Sequence, residues 1–459
     1  MLNIKYISEK AALNATKNEF LFLAEIEGIK NKIKKTVERQ KLNLSIVLDI
    51  SGSMGEAIYS NNSEVHLNNR MNMNMNNVFQ GLIGQAIQPV NERIFMPART
   101  TKLDLAKKAA INAIEKMNIG DYVSLVVFDN LVNVLFESKE LTESGKYEII
   151  RTINQITKRG GTDVHAGWFA GAREVAKTMN DKFVNRVLIL TDGVTYSGIV
   201  DPKEICSNVH ALFKKGISTT TFGVGSGFNE DLLQEMSEKG GGNFYYIKEE
   251  NDFDDVFAQE FSGLLNIAGS EITLEFQPAE GVKIAKQLNN LVMNDNKLII
   301  SDIAGGKKIP LLFKFETAIP KDFNIKTNYK IGTLVLSYKD ESGNKVQTTN
   351  EIELPVMKNK KWEALQYNQE VKVQEMLLVM AEEKLNAGNL AISGNIEGAK
   401  SLLRSASAMA NSSGIVDDRI TASLSTLEAS VVQADTMSMG DFKKSMTYAS
   451  YRERTGKDI

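Results

Sequence analysis

The chain has 459 residues, 42% hydrophobic and 24% charged, with 33 Gly and 7 Pro, a balance ordinary for a globular protein that can bury a full core. Lys and Arg number 54 against 57 acids, a formal charge of −3, so nothing in the overall charge points to nucleic acid or an anionic membrane as partner. One cysteine, Cys206, excludes a disulfide or a multi-thiolate metal site within one chain, and the three histidines His66, His165 and His210 are too scattered for a zinc cluster.

The first residues, MLNIKYISEKAALNATKNEF, carry Lys, Glu and Asn throughout, so they contain no secretory signal core, and no run of about 18 apolar residues follows. The chain is therefore expected in the cytoplasm. Its length implies two to four domains at about 100 to 200 residues each.

From residue 41 to about 260, short apolar runs alternate with helical patterns. The runs Leu44–Asp49, Tyr122–Phe128, Arg186–Thr191, Ser218–Val224 and Asn243–Ile247 are apolar almost without interruption, as strands covered on both faces are. Helices are predicted near 102–117, 142–157, 165–179, 202–215 and 229–239, so residues 41–262 read as a doubly wound, mostly parallel α/β domain. It carries a long insert over 56–101, rich in Asn and Met. Residues 263–357 alternate apolar and polar positions with no intervening helix, the pattern of an antiparallel β-sandwich. Glu19–Glu27 has the same character and is expected to pair with those later strands, which makes 1–40 an outlying part of the sandwich and the α/β domain an insertion within it. From Asn359 the period returns to helical, so 358–459 is expected to form a helical hairpin or bundle with a polar, loose end over the last 20 or so residues.

The chemistry concentrates at strand ends. Asp49-Ile-Ser-Gly-Ser-Met-Gly55 leaves the first strand with one carboxylate and two hydroxyls at alternate positions, a set that suits a hard cation. Gly160-Gly-Thr-Asp-Val-His165 opens a helix, and Leu190-Thr-Asp-Gly193 ends another strand. Each alone is also a helix-capping or turn pattern. In an open α/β sheet the carboxyl ends of the strands form the binding crevice, so the three loops are expected to converge.

Together, in this order and spacing, the three motifs resemble the metal-ion-dependent adhesion site of a von Willebrand factor type A domain. The likeness extends to bacterial-type proteins in which that domain is nested in a β domain similar to those of inter-alpha-trypsin inhibitor heavy chains. The resemblance implies that Ser51, Ser53 and Thr162 contact the ion through hydroxyls, that Asp49 and Asp192 hold it mostly through water, and that Asp163 lies just behind them. The ion it implies is Mg²⁺, with Mn²⁺ and Ca²⁺ as alternatives. It also implies a non-enzymatic module that binds a protein partner through a partner carboxylate completing the metal's coordination. Two further readings belong to other classes: an adaptor of an AAA-type ATPase in protein assembly or remodelling, and a metal-dependent hydrolase, for which the motifs supply no base.

The helix start Lys102-Leu-Asp-Leu-Ala-Lys-Lys-Ala109 normally follows the first motif directly, whereas here the insert intervenes and must leave and return beside the metal. This position suggests a lid or an added recognition surface. Deletion of residues 60–98 should then weaken partner binding, and unchanged binding by the deletion variant would remove the insert from that role.

Overall fold

In the computed structural model, which describes residues 1–29, 39–58, 100–294 and 296–457, the apolar runs build a six-stranded sheet. Its order is Val132–Glu140, Tyr122–Phe128, Leu42–Asp49, Val184–Thr191, Ser218–Val224 and Gly241–Ile247. The pairs are parallel except that Val132–Glu140 runs antiparallel along the edge. That edge strand is absent from the sequence reading because most of its residues face solvent and leave no buried alternation to detect.

Strand residues alternate between two cores. Leu44, Ile46 and Leu48 pack with the helices Lys102–Lys116, Glu143–Asn154 and Glu250–Leu265, while Val47 packs with Val164–Lys177 and Pro202–Phe213 on the opposite face. The chain moves outward from Leu42–Asp49 in one direction as far as Val132–Glu140, then resumes on its other side at Val184–Thr191. The strand order reverses between those two neighbours, and such a reversal opens a crevice at their carboxyl ends.

The remaining strands form two sheets around a second core. Lys17–Gly28 lies antiparallel to Lys308–Ala318, with Ile26 opposite Ile309 and Phe20 opposite Phe315. The α/β unit is thus inserted in a sandwich whose strands flank it in sequence. Leu2–Ser8 and Val282–Gln287 border that sheet as half-exposed strands too weakly patterned to be legible beforehand. Among the described residues, the expected antiparallel pairing has one departure, a two-residue parallel pair of Leu13–Asn14 with Val356–Met357.

The helical part contains Gln369–Ile392, Ile396–Ser412 and Asp418–Gln433 as expected. The loose end does not exist as such: Met439–Arg454 is a helix packed along Gln369–Ile392. It also docks on the α/β unit, where the Tyr451 hydroxyl accepts from Phe244 N at 3.0 Å and its ring meets Phe244 edge-on at 5.7 Å between centroids. Lys443 pairs with Glu230 at 3.0 Å and Asp231 at 2.7 Å. This segment looks polar because it buries charges as well as Phe442 and Met446, and those charges find partners only on other elements. Among the described residues, no helix is long and apolar enough to cross a membrane.

Arg186 holds the nested unit to its host. Its guanidinium, 1% exposed, donates to Glu260 Oε1 at 2.9 Å, to Ser218 Oγ at 2.9 Å and to Asp302 of the sandwich. Burial alone would raise the Glu260 carboxyl, but Arg186 and hydrogen bonds from Asn243, Thr220 and Tyr245 hold it below the ordinary value. Arg186→Met would strand two buried carboxylates, and urea denaturation should show a loss of about 3 to 5 kcal/mol.

Candidate metal centre

Two strand-end loops and the loop that leads into the helix Val164–Lys177 meet over the crevice. Asp49 is the last residue of its strand and is fully buried. Its Oδ1 accepts from Ser51 N at 2.8 Å and its Oδ2 accepts from Thr191 Oγ1 at 2.6 Å, so the carboxyl is fixed by its own loop and by the neighbouring parallel strand. The chain then turns through the short 3₁₀ segment Gly52–Gly55. Ser51 Oγ lies 3.1 Å from Ser53 Oγ, and Ser53 Oγ donates to Asp192 Oδ1 at 2.8 Å. Asp49, Ser51, Ser53 and Asp192 therefore stand in one hydrogen-bonded chain across the sheet edge.

The second loop is tied in through its backbone. Gly52 N donates to Gly160 O at 3.1 Å, and Arg159 N donates to Ile50 O at 2.6 Å. The Thr162 side chain, 5% exposed, lies against Gly193, where an added Cβ would stand 3.0 Å from Thr162 Oγ1. Asp163 takes a separate place: it caps the helix Val164–Lys177 by accepting from Ala166 N at 2.8 Å, with Gly198 packed against its carboxyl. His165 is outside the cluster, with Nε2 3.2 Å from Asn208 Nδ2 and its ring stacked on Phe169.

Two participants are missing from the sequence reading. Lys102 donates to Asp192 Oδ2 and to Glu56 Oε2, each at 2.7 Å. Nothing in a helix-start pattern shows that its first side chain turns back into the crevice. Asp129, 2% exposed, supports the second loop by accepting from Arg159 Nε at 2.8 Å, while its carbonyl accepts from Asp163 N at 2.8 Å. It immediately follows the strand Tyr122–Phe128, as Asp192 immediately follows Val184–Thr191, so that rule applied to every strand would have found it.

Burial pushes the Asp49 carboxyl up to about 6, and the charge of Asp192 adds to the rise, against the pull of hydrogen bonds from Ser51 and Thr191. Among the described residues, Asp49 and Asp192 are buried carboxylates and Glu56 an exposed one, the Lys102 ammonium bonds Asp192 and Glu56, and the Lys158 side chain lies beside Gly55. Among the described residues, no three His, Cys, Asp or Glu side chains converge as a ligand cluster, so the oxygens at this edge are two carboxylates joined by hydroxyls. That donor set fits a small hard divalent cation better than a soft one. The ends of the insert meet beside it: Ile58 N donates to Thr100 O at 3.1 Å and Ala57 bridges Thr101, while the lid expected of residues 60–98 lies outside the described residues.

The family model described as the von Willebrand factor type A domain matches residues 96–259. The match begins within the last residues of the insert, so the strand Leu42–Asp49 and its loop lie ahead of it in sequence and rejoin it only in the sheet. The chain is similar to the uncharacterized protein YfbK of Escherichia coli strain K12, 28% identical over 46% of this chain and 38% of that protein. It is similar to the uncharacterized protein sll0103 of Synechocystis, 26% identical over 40% of this chain and 43% of that one. Inter-alpha-trypsin inhibitor heavy chain H1 of Sus scrofa is 22% identical over 39% of this chain and 21% of its own. The matched region thus spans less than half the length of each of these relatives.

Two solved structures share the fold along the whole chain. A von Willebrand factor type A protein from Catenulispora acidiphila covers 100% of this chain and 97% of its own with a TM-score of 0.68 at 13% identity. The ArnB paralog VWA2 from Sulfolobus acidocaldarius covers 100% and 99% with a TM-score of 0.57 at 14% identity.

The raised Asp49 carboxyl sets a pH dependence. Between its ordinary value of 3.8 and about 6 the folded state binds a proton that the unfolded state has released, so this group's contribution to metal-free stability falls as pH rises through that window. Above it the cost of the buried charge is complete, up to about 3 kcal/mol. A divalent cation held at this carboxylate would relieve that cost, and Mg²⁺ would then raise the melting temperature more at about pH 7.5 than at about pH 5, as scanning calorimetry with Mg²⁺ and with EDTA can measure.

Proposed function

Since this chain carries a von Willebrand factor type A domain, a fold commonly used as a protein-interaction module, we propose that it is a non-enzymatic, Mg²⁺-dependent protein-binding protein. Asp49, Ser51, Ser53, Thr162 and Asp192 hold the ion, and Asp163 fixes the loop that presents Thr162. The observation that carries this reading is the convergence of Ser51, Ser53 and Asp192 from two strand ends in direct hydrogen bonds at the point where the strand order reverses.

When bound, the ion supplies a concentrated positive charge for an acidic side chain of the partner. The protein's own residues set how well that charge is expressed. Neutral hydroxyls donate oxygens without cancelling it, and the two carboxylates are occupied by Thr191, Ser51, Ser53 and Lys102, which restrains them from closing around the ion. The surface around the crevice has apolar area for a protein contact: Tyr196, on the loop that begins with Asp192, is 81% exposed, and Leu131, beside Asp129, is 63% exposed.

Asp49→Ala should abolish Mg²⁺ binding in calorimetry while leaving the protein folded, because the core beneath the sheet edge is apolar and the substitution removes the cost of a buried charge. In pull-downs with wild-type and Asp49→Ala protein, each with Mg²⁺ and with EDTA, the partners should be lost from the three lanes lacking either the carboxylate or the ion. Mass spectrometry of the captured set names the process and shows whether an AAA-type ATPase is among the partners. An identical set in all four lanes, or chelator-sensitive capture retained by Asp49→Ala, overturns the assignment.

A further inference from the structure

Lys102 is placed by three separate constraints. It is the first residue of its helix, whose start is fixed by reciprocal hydrogen bonds between Thr101 and Asp104. Its backbone N donates to Glu56 O at 3.0 Å, which ties the helix start to the end of the first loop. Its stem runs past Gly225, a residue at φ +68° where an added Cβ would stand 2.9 Å from Lys102 Cε. Gly227 on the same loop lies against the carbonyl of Asp192, which an added Cβ would approach to 2.4 Å. The loop after Ser218–Val224 is thus cut back at two positions so that an ammonium reaches Asp192.

The result is a buried cation already in place. The Lys102 side chain is 7% exposed, that of Asp192 is fully buried, and Glu56 stands at the rim with 67% exposure. Both oxygens of Asp192 are engaged, one by Ser53 and the other by Lys102. A divalent ion drawing on Asp192 would meet a unit positive charge at close range in surroundings that screen poorly.

Resting on the metal-binding reading above, we propose that Lys102 is an internal competitor of the divalent ion. Without the ion, its ammonium neutralises Asp192. With the ion, Asp192 turns to the metal and Lys102 keeps Glu56 as its partner. The Lys102 and Glu56 pair thereby sets the metal affinity, and Glu56 adjoins the residues where the insert departs, so the affinity responds to whatever engages that rim.

The test uses the full chain with Mg²⁺ as the probe, titrated calorimetrically into wild-type, Lys102→Met and Glu56→Gln proteins, together with melting temperatures in EDTA and in Mg²⁺. Lys102→Met should bind Mg²⁺ about tenfold more tightly or better. Its melting temperature should fall below that of wild type in EDTA, where Asp192 is left uncompensated, and recover in Mg²⁺. Glu56→Gln should bind Mg²⁺ more weakly, since Lys102 then has Asp192 alone. Equal or weaker Mg²⁺ binding by Lys102→Met overturns the competition while leaving the metal site intact. Absence of Mg²⁺ binding in both wild type and Lys102→Met overturns the metal reading and this inference together. Should Lys102→Met fail to fold, Glu56→Gln decides alone, and unchanged or tighter binding by it counts against the proposal.

Discussion

A single buried guanidinium joins the two halves of this molecule. Arg186 rises from a central strand of the parallel sheet, meets Glu260 on the helix that leads the chain out of the α/β unit, and reaches Asp302 in the sandwich. Each of these charges was removed from water, and its compensation comes chiefly from the opposite charge, with Asn243, Thr220 and Tyr245 adding hydrogen bonds to Glu260, so removing one partner costs far more than the pair contributes. The chain also leaves the sandwich and re-enters it at adjacent points: a Cβ on Gly28 would lie 2.4 Å from Ala304 O and 3.1 Å from the Ala268 side chain. The insertion is therefore closed covalently at its neck and electrostatically beside it, which fixes how the sheet edge is presented relative to its host.

The same logic of mutual compensation recurs at the sheet edge. Asp49 and Asp192 are held by hydroxyls and one lysine, and the charge of Asp49 is costly enough for burial to push its carboxyl up to about 6. Rigid strands position these groups, while the loops supply the hydroxyls. A site arranged so that its carboxylates are restrained by neighbours suits reversible capture of a cation better than permanent sequestration. The proposed role of the domain as a binding module follows from that balance, and the exposed Tyr196 and Leu131 give a partner area to contact around it.

The helical end contributes to the framework in a way its composition conceals. Met439–Arg454 buries Phe442, Met446 and Tyr451, but it also buries Lys444, Glu453 and Arg454. Lys384 of a neighbouring helix, itself fully buried, pairs with Glu453, and Lys444 pairs with Glu230 of the α/β unit at 3.0 Å. Hydrophobic periodicity records only the apolar part of such a helix. A segment whose burial rests on ion pairs reads as solvent-exposed until its partners are known.

What the sequence determined by itself is what depends on local pattern. Continuous apolar runs specified the parallel strands, alternation specified the sandwich, and the order of Asp49, Ser51 and Ser53, then Asp192 marked one edge of one sheet, because a residue that follows a parallel strand is delivered to its carboxyl end whatever the rest of the chain does. Thr162 and Asp163 lead into a helix instead, and backbone bonds from Gly52 to Gly160 and from Arg159 to Ile50 bring their loop to that edge. The pairing of Glu19–Glu27 with later strands was legible for the same reason of shared alternation. The tertiary structure alone decided the rest. The edge strand Val132–Glu140 takes its conformation from its neighbour rather than from its own pattern, and the helix Met439–Arg454 takes its burial from distant charges. Lys102 meets Asp192 across a gap of many residues because the helix start, the Gly225 loop and the strand order place them together. A contact of that kind is a property of three elements at once, and no periodicity within any one of them encodes it.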